Sequence, residues 1–217
     1  MIVDERIATY IRSLESPNSL LLEAIEEQAH IDQVPIIRKE MESFLRVMLM
    51  IHRPKKILEL GTAIGYSALF MSECVDVDKI VTIENYEKRI PIAKENFKKA
   101  GKEEQIMLLE GDAMELMPTL EAETFDFVFM DAAKAQYIYF LPEVLRLMKP
   151  GAVLITDNIL QEGDLIESRF TVRRRDRTIH KRMREYLEAV KKHPELETSI
   201  VPIGDGITMS VKRGEQE

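Results

Sequence analysis

Apolar residues recur at helical spacing over the first fifty positions, and then the rhythm changes. Ile7, Tyr10, Ile11 and Leu14 fall on one helical face. After Pro17 and Asn18, the run Leu20, Leu21, Leu22, Ala24 and Ile25 opens a second helix. A third is expected over 36–51, with Phe44, Leu45, Val47, Met48 and Leu49 as its stripe and Pro54 beyond its end. From residue 56 onward, short and almost wholly apolar runs predict strands at 57–60, 80–83, 106–109, 125–130 and 153–156. The segments between them predict helices at 66–74, 87–100, 113–116 and 137–148.

Strands that are apolar on both faces and separated by helices imply a parallel sheet covered on both sides. Right-handed crossovers make this a doubly wound, Rossmann-like α/β fold. The end of the chain departs from the alternation. A long polar helix is expected over about 174–192, and runs at 198–203 and 207–212 flank Gly204-Asp205-Gly206, an antiparallel hairpin signal. A chain of 217 residues suits one domain over 1–217, with N-terminal helices over 1–52 and the α/β core over 53–217.

Composition narrows the setting. Cys74 is the sole cysteine, so no intrachain disulfide forms, and its apolar surroundings mark a buried filler in a reducing compartment. No apolar run is long enough to span a membrane, and the first residues carry no signal-peptide pattern, so a cytoplasmic protein is expected. The net charge of −8 argues against a general nucleic-acid binder.

Ligands of open α/β sheets sit at the carboxyl ends of the strands, and chemistry-bearing residues gather there. The first strand runs into Glu59-Leu60-Gly61-Thr62-Ala63-Ile64-Gly65-Tyr66-Ser67. Gly61 permits a tight turn, and Gly65 is expected to let the next helix approach a ligand. Glu84 ends the second strand, where a carboxylate can accept hydrogen bonds from ribose hydroxyls. Asp112 and Ala113 follow the third, within reach of an adenine edge. The glycine spacing is not that of a pyrophosphate cradle, so a nucleoside-type cofactor is favoured over a dinucleotide. Asp131 ends the fourth strand, with Lys134 three residues on, and Asp157-Asn158 ends the fifth. Two carboxylates and an amide carbonyl are hard oxygen donors that suit Mg²⁺ or Mn²⁺, and no His or Cys cluster competes for zinc. Each acid taken alone could equally be a helix cap or turn former.

The order Glu59-x-Gly61-x-x-x-Gly65, Glu84, Asp112 resembles the class I S-adenosylmethionine-dependent methyltransferases. Asp131-x-x-Lys134 followed by Asp157-Asn158 resembles the metal-dependent O-methyltransferases related to the caffeoyl-CoA and catechol enzymes. The similarity runs from about Val34 to the end of the chain. It includes Gly65-Tyr66-Ser67 and the Gly204-Asp205-Gly206 hairpin, and it departs where many relatives carry a second acid at the position of Ala133. The resemblance implies that Val34, Glu59, Gly61, Ser67, Glu84, Asp112, Ala113 and Asp131 contact S-adenosylmethionine. It implies that Asp131, Asp157 and Asn158 hold the metal, and that Lys134, with Asp131, is catalytic. A lysine beside a divalent cation is disfavoured in its charged form and can take the acceptor's proton.

Between residues 169 and 184 stand Arg169, Arg173, Arg174, Arg175, Arg177, Lys181, Arg182 and Arg184 against Asp176 alone. The local charge is +7, which leaves −15 on the remainder. Such segregation suggests a phosphate-binding patch, although a solvated helix face or subunit contact would look the same. Seen whole, the chain resembles the bacterial methyltransferases that convert 5-hydroxyuridine to 5-methoxyuridine at the tRNA wobble position. That resemblance implies a tRNA anticodon stem-loop as partner, gripped by Arg169, Arg173, Arg174, Arg175, Arg177, Lys181 and Arg182, and a homodimer. A small catechol or caffeoyl-CoA acceptor is the alternative, since the same catalytic residues serve both.

Overall fold

The computed structural model describes residues 3–168 and 170–214, so Arg169 lies outside the described residues. Three helices precede the sheet: α1 (Glu5–Ser13), α2 (Leu20–Ile31) and α3 (Lys39–His52). Asp4 and Ser19 cap the first two through side-chain oxygens that accept from Arg6 N and Leu22 N. The third begins three residues later than its periodicity predicts, because the stretch from Pro35 to Arg38 stays outside the helix. It ends at Arg53, whose φ of 51° turns the chain before Pro54.

The alternating region follows: β1 (Lys56–Leu60), α4 (Tyr66–Cys74), β2 (Lys79–Glu84), α5 (Ile90–Lys99), β3 (Ile106–Glu110), α6 (Ala113–Leu116), β4 (Phe125–Met130), α7 (Tyr137–Leu147) and β5 (Met148–Thr156). The tail supplies α8 (Arg177–Lys192), β6 (Leu196–Val201) and β7 (Ile207–Lys212). The seven strands lie in the order β3-β2-β1-β4-β5-β7-β6. The first five are parallel and the terminal hairpin is antiparallel, with β7 along β5. The order reverses between β1 and β4, which opens a crevice at their carboxyl ends.

Side chains alternate between the two sheet faces, and both faces are dry. Ile57, Phe127, Phe129, Val153 and Ile155 pack with α2, α3, α4 and α5, through residues such as Leu45, Leu49, Phe70 and Phe97. Leu58, Leu60, Val128, Met130 and Leu154 pack on the other side with Phe140, Val144, Tyr186 and Val190 of α7 and α8. A polar network ties the N-terminal helices to α4: Tyr66 Oη donates to Glu42 (2.8 Å), Asn18 Nδ2 donates to the same carboxylate (2.7 Å), and Arg46 donates to Asn18 Oδ1 (2.8 Å). Cys74 is only partly buried, and its apolar surroundings push the thiol up to about 11. No helix among the described residues is long and apolar enough to cross a membrane.

Candidate active site

The crevice between the ends of β1 and β4 is a cavity of about 690 Å³, large enough for a nucleoside-sized ligand with an acceptor beside it. Gly61, Ser67, Glu84, Asp112, Ala113, Asp131, Lys134, Asp157 and Asn158 all line it. Strand ends β1 to β5 thus deliver nine of the expected residues to one space.

Gly61 does more than turn the chain. A Cβ there would meet the Asp131 carbonyl oxygen at 2.3 Å, and its φ of 101° is a glycine conformation. The end of β1 therefore approaches the backbone of Asp131 closely. At Gly65 the close approach is to a side chain, not to a ligand. A Cβ would strike the Phe97 ring at 2.5 Å, and Gly65 does not line the cavity.

Glu84 is held rigidly. Oε2 accepts from Ala63 N (2.7 Å), and Oε1 accepts from Asn85 N (3.0 Å) and Tyr86 N (2.9 Å). A carboxylate has about four acceptor sites, so the rotamer is fixed while room remains for a ligand hydroxyl. Asp112 caps α6 by accepting from Met114 N (2.8 Å), which leaves its other oxygen for the cavity.

Glu59 has a different place from the one its motif suggests. It is fully buried beneath the cavity and lines none of it. Ser67 Oγ donates to its Oε1 and Thr82 Oγ1 to its Oε2, both at 2.5 Å, and Thr82 pairs in turn with Thr62. Burial pushes this carboxyl up to about 7 against the pull of those two hydroxyls. Its action on the site runs through Ser67, which does line the cavity. Val34 is half-buried against the core, and the cavity wall starts one residue later at Pro35.

At the far end, Asp131 and Asp157 face one another across β4 and β5. Burial pushes both upward, and the charge of Asp131 pushes Asp157 further, to about 8. Asn158 sits at φ 59°, a left-handed conformation, and its amide lies 3.3 Å from Asp131 Oδ1. Two buried acids whose proton affinities burial and the Asp131 charge raise also favour any other cation placed between them. Among the described residues no three His, Cys, Asp or Glu side chains converge as a metal cluster. The donor set is instead two carboxylates and an amide, whose oxygen and nitrogen can exchange places by a flip.

Lys134 adjoins these acids, and its Nζ lies 3.6 Å from Asp205 Oδ2. Asp205 was missed as a site residue. It reads in sequence as the middle of a hairpin turn, yet it is buried and lines the cavity. Only the pairing of β7 with β5 brings it there; an acid between two glycines was the one available hint. Arg38 was also missed. It lines the cavity from the N-terminus of α3, and its Nη1 is buried with no hydrogen-bond partner among the described residues.

One member of the basic segment, Arg182, reaches the loop that carries Lys134, through the Ala135 carbonyl. Arg173, Arg174 and Arg175 are exposed, whereas Arg177 and Arg182 spend donors on backbone. Arg177 reaches the carbonyls of Val172 and Phe170 (both 3.3 Å), and Arg182 Nη1 reaches that of Ala135 (3.2 Å). Lys181 pairs with Glu185 on the surface. The polar helix starts at Arg177, three residues later than expected.

A Rossmann-like sheet whose strand ends carry Glu84, Asp112, Asp131 and Asp157 around one cavity is that of a class I methyltransferase. Comparison gives the family. Residues 13–213 match the family model described as O-methyltransferase, and the chain belongs to that family. It is 32% identical to a catechol O-methyltransferase of Niastella koreensis, over 59% of this chain and 60% of that protein. Among solved structures it resembles a Staphylococcus aureus protein described as a caffeoyl-CoA O-methyltransferase, with TM-score 0.88, 31% identity, and coverage of 96% of this chain and 100% of that one. An O-methyltransferase from Bacillus cereus, solved in complex with SAH, superposes with TM-score 0.83 at 25% identity, covering 96% of this chain and 97% of that one.

Proposed function

We propose that this protein is an S-adenosylmethionine- and Mg²⁺-dependent O-methyltransferase that methylates the 5-hydroxyl of 5-hydroxyuridine at the tRNA wobble position. The single observation behind the reaction is the convergence of Asp131, Lys134, Asp157 and Asn158 on the cavity that Glu84 and Asp112 also line. The exposed Arg173, Arg174 and Arg175 support a polyanionic acceptor.

The residues suit both groups. For S-adenosylmethionine, Glu84 would receive the ribose hydroxyls and Asp112 with Ala113 the adenine edge. The orphaned nitrogen of Arg38 would meet the amino-acid carboxylate. For Mg²⁺, Asp131, Asp157 and the Asn158 carbonyl are hard oxygens short of positive charge. Bound there, the ion would lower the acceptor hydroxyl's pKa. Mn²⁺ fits the same donors.

The chain's own residues then handle the proton and the alignment. As the neutral amine, Lys134 Nζ would take the hydroxyl proton, and Asp205 would balance the ammonium that results. Bound S-adenosylmethionine, held by Glu84, Asp112 and Ala113, would supply the methyl group to that oxygen and leave as a neutral thioether. Fixing both reactants in one cavity is worth about 7–11 kcal/mol in favourable intramolecular systems.

A small-molecule reading has its own support, because the relatives above are named for catechol and caffeoyl-CoA. Such acceptors, like 5-hydroxyuridine, present two adjacent oxygens. The test is methyl transfer from labelled donor to an anticodon stem-loop carrying 5-hydroxyuridine, with catechol in parallel, before and after chelation. The RNA should be the better acceptor, and activity should vanish with EDTA and return with Mg²⁺. A preference for catechol would overturn the RNA assignment, and chelator-resistant turnover would overturn the metal. A homodimer belongs to the same reading, since Tyr10 and Leu14 leave an apolar face exposed on α1.

A further inference from the structure

Arg173, Arg174 and Arg175 are exposed to solvent, but one other arginine of the basic segment does something else. The Arg182 guanidinium lies over the Tyr139 ring, 4.9 Å from its centroid. Tyr139 stays 46% exposed, although α7 buries Tyr137, Phe140 and Leu141 on either side of it in sequence. Arg182 Nη1 also donates to the Ala135 carbonyl. Ala135 stands between Lys134 and Gln136, both of which line the cavity. A flat cation–π pair is thus fastened to the backbone that carries the proton acceptor.

The loop ahead of α8 shares this mixed character. Ile166 is 83% exposed and Phe170 81%. Arg177 ties the Phe170 carbonyl, and Arg184 that of Glu167, back to the helix. Large apolar groups held open among arginines are poor surface for a merely solvated helix. They suit a ligand with flat faces and a charged backbone.

We propose that the Tyr139–Arg182 pair is a stacking shelf for the nucleobase next to the one being methylated. The inference rests on the RNA reading above and deepens it by naming what selects a base within a strand over a free nucleoside or catechol. With the Arg182 guanidinium over one face of the Tyr139 ring, a base can stack on the ring's other face or on the outer side of the guanidinium. Every base has a π-face, so such a shelf holds a neighbouring base whatever its identity. The arginines at 173–175 then attract phosphates, while the shelf sets the position of the strand.

The experiment compares wild type, Tyr139→Ala, Tyr139→Phe and Arg182→Lys on two acceptors: the 5-hydroxyuridine stem-loop and free 5-hydroxyuridine. In a parallel stem-loop, 2-aminopurine replaces the base next to the target. Tyr139→Ala should lower kcat/KM for the stem-loop about tenfold or more relative to that for the nucleoside, the order of one lost stacked base. Tyr139→Phe, which keeps the ring, should restore the ratio. Arg182→Lys should lower it in part, because an ammonium is not planar. Wild type should quench 2-aminopurine fluorescence on binding, and Tyr139→Ala should not. If wild type prefers the stem-loop but Tyr139→Ala changes neither ratio nor quenching, the shelf is overturned while the RNA reading stands. An equal loss on both acceptors also overturns it, in favour of a clamp that merely holds the Lys134 loop. If wild type shows no preference for the stem-loop, the RNA reading falls and the shelf with it.

Discussion

Lys134 and Glu59 show how differently two charged side chains of one motif set can act. Lys134 reaches the cavity, so Lys134→Met should lower kcat by about 10²–10⁴-fold, the usual worth of a positioned proton acceptor. Calorimetry should find donor affinity little changed. Glu59 acts from below. Its carboxyl moves from 4.5 to about 7 because burial disfavours the charge. The folded state therefore holds this proton more tightly than the unfolded chain does. The associated stability is complete below about pH 4.5 and is lost as pH rises through about 7, a difference of roughly 3 kcal/mol. Glu59→Gln should flatten that part of the melting-temperature profile in chelator-treated protein. A profile as steep as wild type would show that another group is responsible.

Among the elements, the terminal hairpin has the most consequence for the site. It carries Asp205 to Lys134, and its geometry depends on Gly206. That residue has φ +79°, and a Cβ there would meet Leu160 Cγ at 2.4 Å. Ile159 N and Leu160 N also donate to the carbonyls of Gly206 and Asp205, so the turn is laced to the segment that follows Asn158. Gly206→Ala should cost about 1–3 kcal/mol in denaturant titrations, by strain and overpacking. It should lower activity further than this stability loss explains, since Asp157-Asn158 and Asp205 shift together. Strand and helix positions were legible where a run is buried along its length: 125–130 and 66–74 coincide with β4 and α4. Ends without such a pattern moved. The first hairpin strand runs Leu196–Val201 and not 198–203, because the turn takes up Pro202 and Ile203. Helix α8 starts late because Arg173 to Asp176 form a turn that no apolar spacing marks.

Over the molecule as a whole, charge is divided between one basic segment at 169–184 and an acidic remainder of the chain. Attraction of a polyanion to that segment should be strongly salt-dependent. Replacing Arg173, Arg174 and Arg175 together by Ala should weaken stem-loop binding at low salt. It should also reduce the slope of log affinity against log salt by up to about 2–3, the share of three phosphate contacts. A slope unchanged by the triple substitution would remove the patch from the RNA interface. Free-nucleoside methylation reports separately on whether the cavity survives.

The linear chain already contained the sheet, because strands apolar on both faces can only be satisfied between two layers of helix. It also contained Glu84, Asp112, Asp131 and Asp157, because each sits where a strand ends and a parallel sheet brings all such ends to one edge. The folded molecule alone could reveal that Glu59 lies under the cavity and acts through Ser67. The same holds for the space Gly65 gives to Phe97, and for the delivery of Asp205 and the Tyr139–Arg182 pair to the Lys134 loop. These relations join residues 8 to 71 positions apart through packing and register, and no local period or spacing encodes a contact of that kind.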